Sequence, residues 1–189
     1  MTTLVFFLEE PSAREMLKGL LPRVLPETVG TQYLVFEGKQ DLEKRLPKRL
    51  AAWQIPNCRF VVLRDQDSGD CVAIKQGLLQ KCIEAGKPDT LVRIACRELE
   101  SWYLGDLQAV GQALGQASLD SQQGKAKFRN PDVLSNAAEE LSKLVPTYQK
   151  VSGSRAIGVF LDIEHNFSTS FRFFISGIRR LVEDGETGC

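Results

Sequence analysis

The chain has 189 residues, 43% of them hydrophobic and 25% charged, and its 24 basic and 24 acidic side chains leave a formal net charge of zero. That length suits one domain with at most a small appendage. The charge balance excludes a global field that draws the molecule to nucleic acid, so any such contact has to come from a local patch.

No apolar run reaches membrane-spanning length. The amino-terminal MTTLVFFLEEPS lacks the basic start, the apolar core and the cleavage site of a signal peptide. Five cysteines (Cys58, Cys71, Cys82, Cys96 and Cys189) form no CxxC pair and His165 is the sole histidine, so zinc is a poor fit. The expectation is a cytoplasmic protein with reduced thiols and no membrane association.

Thr3–Leu8 is an apolar run of strand length that leads into Glu9 and Glu10. Pro11 stops it, and Ser12-Ala-Arg-Glu15 reads as a capping box opening a helix, which gives Glu15 a local duty. Glu9 has no such duty and is the better candidate for chemistry, with Glu10 close behind. Tyr33–Phe36 is a second buried-strand candidate. Residues 41–53 read as a charged helix that Pro47 kinks or splits. Its Lys44, Arg45, Lys48 and Arg49 fit a solvated face as well as a phosphate-contacting one.

The third strand, Phe60–Leu63, ends in Arg64-Asp-Gln-Asp-Ser-Gly-Asp70. Carboxylates at close range repel one another unless protons or a cation intervene. Asp65 and Asp67 are two apart, so an extended tip points both the same way. Such all-oxygen donors suit Mg²⁺ that keeps several waters. A turn in which Asp70 N-caps the next helix accounts for part of the same pattern. An EF-hand fails on spacing: Gly69 stands where a ligand belongs and Gln76 at the bidentate position. A phosphatase-type nucleophile would open its domain, whereas about 60 residues precede this one.

Residues 71–85 carry apolar positions at helical spacing, and Gly86-Lys-Pro88 ends that helix. Thr90–Ala95 is a fourth strand. Four strand-then-helix units predict a parallel sheet, with sites at the carboxyl ends of its strands. Glu98 and Glu100 follow directly on the fourth strand, where a helix dipole alone explains one of them comfortably. Trp102, Tyr103 and Leu104 read as core. Beyond residue 110, a helix tail and a loop carrying Lys125, Lys127 and Arg129 are expected, then a helix from Pro131 through Leu144. A helical carboxy-terminal layer with Phe160, Phe167, Phe171, Phe173 and Phe174 packs on the sheet, and residues 183–189 form a frayed tail. The expected organisation is an α/β core over 1–110, with 111–189 packed on it.

A strand ending in Glu9, a later one ending in Asp65-Gln-Asp67, and four alternating units resemble the Toprim fold of topoisomerases, primases and overcoming-lysogenization-defect nucleases. More closely, Leu8-Glu-Glu-Pro-Ser12, Arg64–Cys71, Arg97–Asp106, Lys127–Asp132 and Ser168–Arg172 resemble the bacterial family called domain of unknown function 4276. The resemblance implies a four-stranded, mainly parallel sheet flanked by helices. It implies Glu9 as general acid/base or metal ligand, Asp65 and Asp67 as the metal-binding pair, and Glu98 or Glu100 as the acid that holds a second metal. Many Toprim nucleases read Glu-Gly-x-x-Glu after the first strand, whereas here Glu10 replaces the glycine and Ala13 stands near the second glutamate.

The function expected from these readings is Mg²⁺- or Mn²⁺-dependent phosphodiester cleavage or phosphoryl transfer on nucleic acid. Asp65, Asp67 and Glu9 are its centre, Asp70 a further candidate ligand, and Lys125, Lys127 and Arg129 the phosphate contacts. The rival reading is a non-catalytic metal- or nucleotide-binding regulatory partner of an ATPase, which the resemblance suggests through the ATPase genes placed beside family members.

Overall fold

The computed structural model describes residues 2–186. Strands β1 (Thr2–Leu8), β2 (Val29–Val35), β3 (Cys58–Asp65) and β4 (Leu91–Ala95) form one sheet in the order β2-β1-β3-β4. Every neighbouring pair is parallel. Leu4–Leu8 of β1 and Val61–Val62 of β3 have no exposed surface, as continuous apolar strands buried on both faces should. β2 starts four residues before the expected Tyr33. Its first half lies on the sheet edge with Thr31 and Gln32 exposed, so no apolar run announces it.

Right-handed crossovers decide which helices cover which face. The chain steps from β1 to β2 in one direction, then crosses to β3 and β4 in the other. Helix α1 (Pro11–Leu20) therefore covers one face, and α2 (Lys39–Ala51) and α3 (Cys71–Glu84) the opposite one. The two cores follow this alternation. Leu4, Phe6, Leu8, Val61 and Leu63 pack with α1 and the later helices. Val5, Phe7, Phe60, Val62 and Ile94 pack with Leu42, Leu46, Leu50, Leu78 and Cys82 of α2 and α3. The reversal of direction falls between β1 and β3, the place where an open α/β sheet leaves a crevice outside its carboxyl ends.

After β4 come α4 (Glu100–Leu104), α5 (Leu107–Leu114), three short 3₁₀ turns between residues 117 and 133, α6 (Ala137–Leu144), α7 (Lys150–Gly158) and α8 (Thr169–Glu186). Trp102, Tyr103 and Leu104 are fully buried, as expected of core residues. Residues 117–133 are organised by 3₁₀ turns, and the helix expected from Pro131 begins at Ala137, after one such turn over Pro131–Val133. Of the five phenylalanines expected in the carboxy-terminal layer, Phe171 and Phe174 are buried, whereas Phe160, Phe167 and Phe173 are exposed. The expected tail is helical through Glu186, and residues 187–189 lie outside the described residues.

Two local readings are corrected. Helix α2 is not split at Pro47: it runs as one helix from Lys39 to Ala51, with Leu42, Leu46 and Leu50 burying one face on both sides of the proline. The capping box at Ser12 does not form. Pro11 takes the first helical position, which suits its fixed φ, and this moves the cap to Glu10 and places Ser12 inside the helix. Ser12 Oγ instead donates to Glu10 Oε1 at 2.6 Å.

Glu15, freed from capping, is buried and accepts from Arg155 Nε at 2.7 Å, Arg14 Nε at 2.9 Å and Lys18 Nζ at 3.3 Å. The Arg155 hydrogen bond outweighs burial and, with Arg14 and Lys18, holds the carboxyl down to about 2. The stabilisation is therefore present above the ordinary value of 4.5 and is lost as pH falls toward about 2. All three cations are partly exposed, so solvent screening reduces its size to about 1–2 kcal/mol. Glu15→Gln is expected to lower stability by that amount at neutral pH and to match wild type near pH 2, as read from urea unfolding at both pH values.

Candidate functional site

Glu9 follows the last residue of β1, and Asp65 ends β3 in register with Ala95 of β4. Parallel pairing thus brings Glu9, Asp65 and the chain after β4 to one edge of the sheet. Contact is direct, because the Asp65 N–H donates to Glu9 Oε2 at 3.1 Å.

Beyond Asp65 the chain stops being extended. Asp67 (φ +55°) and Arg97 (φ +64°) both occupy the left-handed region, unusual for side chains of this size. Each is held there by the other's loop. Gln66 N–H donates to Ala95 O at 2.9 Å, Asp67 N–H to Arg97 O at 2.7 Å, and Arg97 N–H to Gln66 Oε1 at 3.1 Å. Strain maintained by its surroundings in this way is a mark of functional loops. It also overturns one expectation: strand alternation no longer governs Asp67, and the two aspartates do not share one extended tip.

The carboxylates fall into two groups. On the face that carries α1, Asp65 meets the charges of Glu10 and Glu100 as well as that of Glu9. Burial first, and then these charges, push Asp65 well above the usual carboxylate range. Burial also raises Glu100, whose Oε1 accepts from the Tyr148 hydroxyl at 3.1 Å. Its Oε2 is buried with no partner. Lys150, first residue of α7, places Nζ 2.7 Å from Glu10 Oε2. Burial opposes that charge, yet the Glu10 hydrogen bond and the charges of Glu100, Glu10 and Asp65 hold the ammonium up to about 12.

The second group lies toward α2. Lys39 Nζ sits 2.7 Å from Asp67 Oδ2. The buried Arg64 places Nε 4.0 Å from Glu9 Oε2 and pairs with Glu43. Burial is the largest influence on Glu9 and raises it, with Asp67 adding to the rise and Arg64 opposing it. Glu9 therefore stands between the groups, touching Asp65 on one side and facing Asp67 on the other.

Other expected site residues are occupied elsewhere. Glu98 Oε2 accepts from Ala138 N–H at 2.8 Å, capping the first turn of α6. Asp70 N-caps α3 through Ala73 N–H at 2.7 Å. Lys127 pairs with Glu140 at 2.5 Å and lies over the Phe128 ring. Lys125 and Arg129 are exposed. Lys150, Tyr148, Arg64 and Lys39 were not foreseen as members of the site.

The donor set is all oxygen, and an unpartnered buried carboxylate oxygen beside a like-charged aspartate is what a hard cation would satisfy. Among the described residues, no three His, Cys, Asp or Glu side chains converge closely enough to form a ready cation cage. The residues fit Mg²⁺ or Mn²⁺ in the manner that relies on one or two carboxylates, with water and phosphate completing the shell.

The fold is similar to that of the C-terminal region of the Burkholderia pseudomallei OLD protein, with a TM-score of 0.55 and 16% sequence identity over 96% of this chain and 97% of that one. This likeness bears on the fold alone and agrees with the Toprim-like architecture, a four-stranded parallel sheet flanked by helices. Comparison with curated proteins finds no match. The model of the family described as Domain of unknown function (DUF4276) matches residues 8–179, nearly the whole length over which the acidic edge and its supporting helices are built, and the chain belongs to that family.

Proposed function

We propose that this acidic edge is the centre of a Mg²⁺- or Mn²⁺-dependent enzyme that cleaves or transfers phosphodiester groups of nucleic acid. The observation that carries the reading is the buried, unpartnered Oε2 of Glu100 in the charge field of Asp65. Asp65 and Glu100 would hold the cation, with water and phosphate completing its shell and Asp67 and Glu9 at the rim. Its chemistry there would be to neutralise phosphate charge and favour loss of the leaving oxygen.

The chain's own groups supply the rest. Glu9 has a raised carboxyl that brings proton exchange nearer working pH, and its N–H contact with Asp65 keeps it in place. Lys150 offers a positive charge on the same face, where it pairs with Glu10 and lies in the field of Glu100 and Asp65. Lys125 and Arg129 are free of carboxylate partners among the described residues and suit the flanking phosphates, whereas Lys127 is neutralised by Glu140.

The carboxylates also define a stability test. Asp65, Glu9 and Glu100 are all raised, so the fold favours their neutral forms. That contribution is present below the ordinary carboxylate range and is lost as pH rises through the raised values. At neutral pH a divalent cation should offset the loss, by about 2.7 kcal/mol at a hundredfold excess over Kd. Asp65→Asn with Glu100→Gln is expected to melt higher than wild type without metal and to show no Mg²⁺ or Mn²⁺ shift. Equal shifts in the two proteins would exclude a metal site here.

The rival reading is a non-catalytic metal- or nucleotide-binding partner of an ATPase. Incubation with DNA or RNA and Mn²⁺, with and without an ATPase encoded alongside, separates the two. Cleavage by the chain alone supports the enzyme, and cleavage by neither sample supports the regulatory partner.

A further inference from the structure

Strand β4 carries one cation among apolar residues. Alternation puts Arg93 on the same face as Leu91 and Ala95, the face against which α8 packs. Its guanidinium is fixed there. Nε donates to Phe173 O and Nη1 to Val92 O, each at 3.0 Å, while Nη2 has no hydrogen-bond partner among the described residues. Gly177 of α8 makes room for the group, since a Cβ at that position would lie 2.5 Å from Nη2.

Arg93 lines a cavity of about 440 Å³ between β4 and α8, together with Lys75 of α3 and Arg180. Neighbouring Arg179 is paired with Glu164, whereas none of the three lining cations has a carboxylate partner among the described residues. Asp132 also lines the cavity, but its oxygens accept from Ser168 and Ser170, and the balance of charge stays positive. Burial, and then the charge of Arg180, pull Arg93 below its ordinary value, a repulsion that an anion between the two would relieve. Phe173 stands in the same wall with 63% of its surface exposed. The cavity begins where β4 ends: Cys96 N–H donates to Ser170 Oγ at 3.2 Å, one residue before the Arg97 carbonyl that holds the Asp67 loop.

We propose that this cavity holds one unpaired nucleotide of a single-stranded nucleic acid, its phosphate on Arg93, Lys75 and Arg180 and its base against Phe173. This rests on the nucleic-acid reading above and narrows it to a single strand. Nη1 and Nη2 of Arg93 keep N–H groups for a phosphate, and a guanidinium held in one place loses little freedom on binding it. An aromatic ring takes any base by stacking. A base inside a duplex is already stacked on both faces and has none to offer Phe173.

The test is fluorescence anisotropy of a labelled oligothymidylate titrated with the full chain in EDTA over a range of salt. Wild type should bind the single strand roughly tenfold or more tightly than a duplex of the same length. Arg93→Gln should weaken binding by roughly tenfold or more and flatten the slope of log affinity against log salt by about 0.7, the share of one phosphate contact. Phe173→Ala should weaken it by roughly 5–100-fold at unchanged slope, because a stack releases no counterions. Gly177→Ala favours the helix but displaces the guanidinium, so it should weaken binding without lowering the melting temperature. No binding by wild type, wild-type affinity in both Arg93→Gln and Phe173→Ala, equal affinity for the duplex, or thymidine monophosphate binding as tightly as the strand overturns the proposal. With no metal present the result is independent of the acidic edge: a chain that binds through Arg93 and never cleaves upholds this inference and refutes the enzyme.

Discussion

Glu9→Gln is expected to retain Mg²⁺ binding while losing roughly 10²–10⁴-fold in cleavage rate, the usual size of a general acid/base contribution. Glutamine keeps the shape and an oxygen that can accept the Asp65 N–H, now 3.1 Å from Glu9 Oε2. It cannot carry the proton. Asp65→Asn removes the charge at the centre of the cluster and should lose both the metal response and the activity, with partial recovery at high metal concentration. Lys150→Met probes a third quantity, since it leaves the carboxylates in place and removes a charge facing the phosphate. Its loss should appear in the rate without removing the metal-induced melting shift. The measurements are single-turnover cleavage of a nucleic acid that scores in the Mn²⁺ assay and thermal melting with and without Mg²⁺. A Glu9→Gln protein that cleaves at the wild-type rate while Asp65→Asn is inactive would make Glu9 structural.

The acidic edge was legible in part, for reasons that particular residues show. Apolar runs ending in Glu9 and Asp65 identify central parallel strands, and parallel pairing alone brings their ends together. Asp70 as a helix cap follows from local chemistry and forms as such. Glu98 and Glu100 look equivalent in sequence, because both follow β4. Only the packing of α6 and α7 separates them, by giving Glu98 a helix to cap and leaving Glu100 beneath Tyr148. Lys150 and Tyr148 lie in no motif and arrive from the far end of the chain, so nothing local marks them. Asp67 escapes strand alternation because Arg97, distant in sequence, locks its loop in the left-handed conformation. Glu15 was misassigned because Pro11 shifts the helix start, and the Arg155 that occupies it comes from α7.

Gly158→Val should cost about 3 kcal/mol or more, because it forces a side chain into backbone that cannot yield. Helices α1 and α7 cross with two glycines at the contact. A Cβ on Gly158 would fall among the backbone atoms of Met16, 2.9 Å from its Cα, and one on Gly19 would come within 2.8 Å of Val159 N. Arg23 seals the same junction, donating to Gly158 O and Leu161 O at 2.8 Å each. The close approach positions function as well as core. Glu10 stands just before α1 and Lys150 opens α7, so the spacing of the two helices sets the 2.7 Å pair between them. The variant should melt roughly 6–12 °C lower, given about 2–4 °C per kcal/mol at this size. Its surviving folded fraction should also show a weakened metal response. Gly77→Ala supplies the control, since nothing lies within 4 Å of a Cβ there and the residue sits inside α3. That change should instead stabilise by about 0.5–1 kcal/mol. Equal melting temperatures for Gly158→Val and wild type would mean that α7 can slide on α1, and the Lys150–Glu10 pair would then have to be held from the α4 side, through the Tyr103–Ser154 hydrogen bond at 2.7 Å.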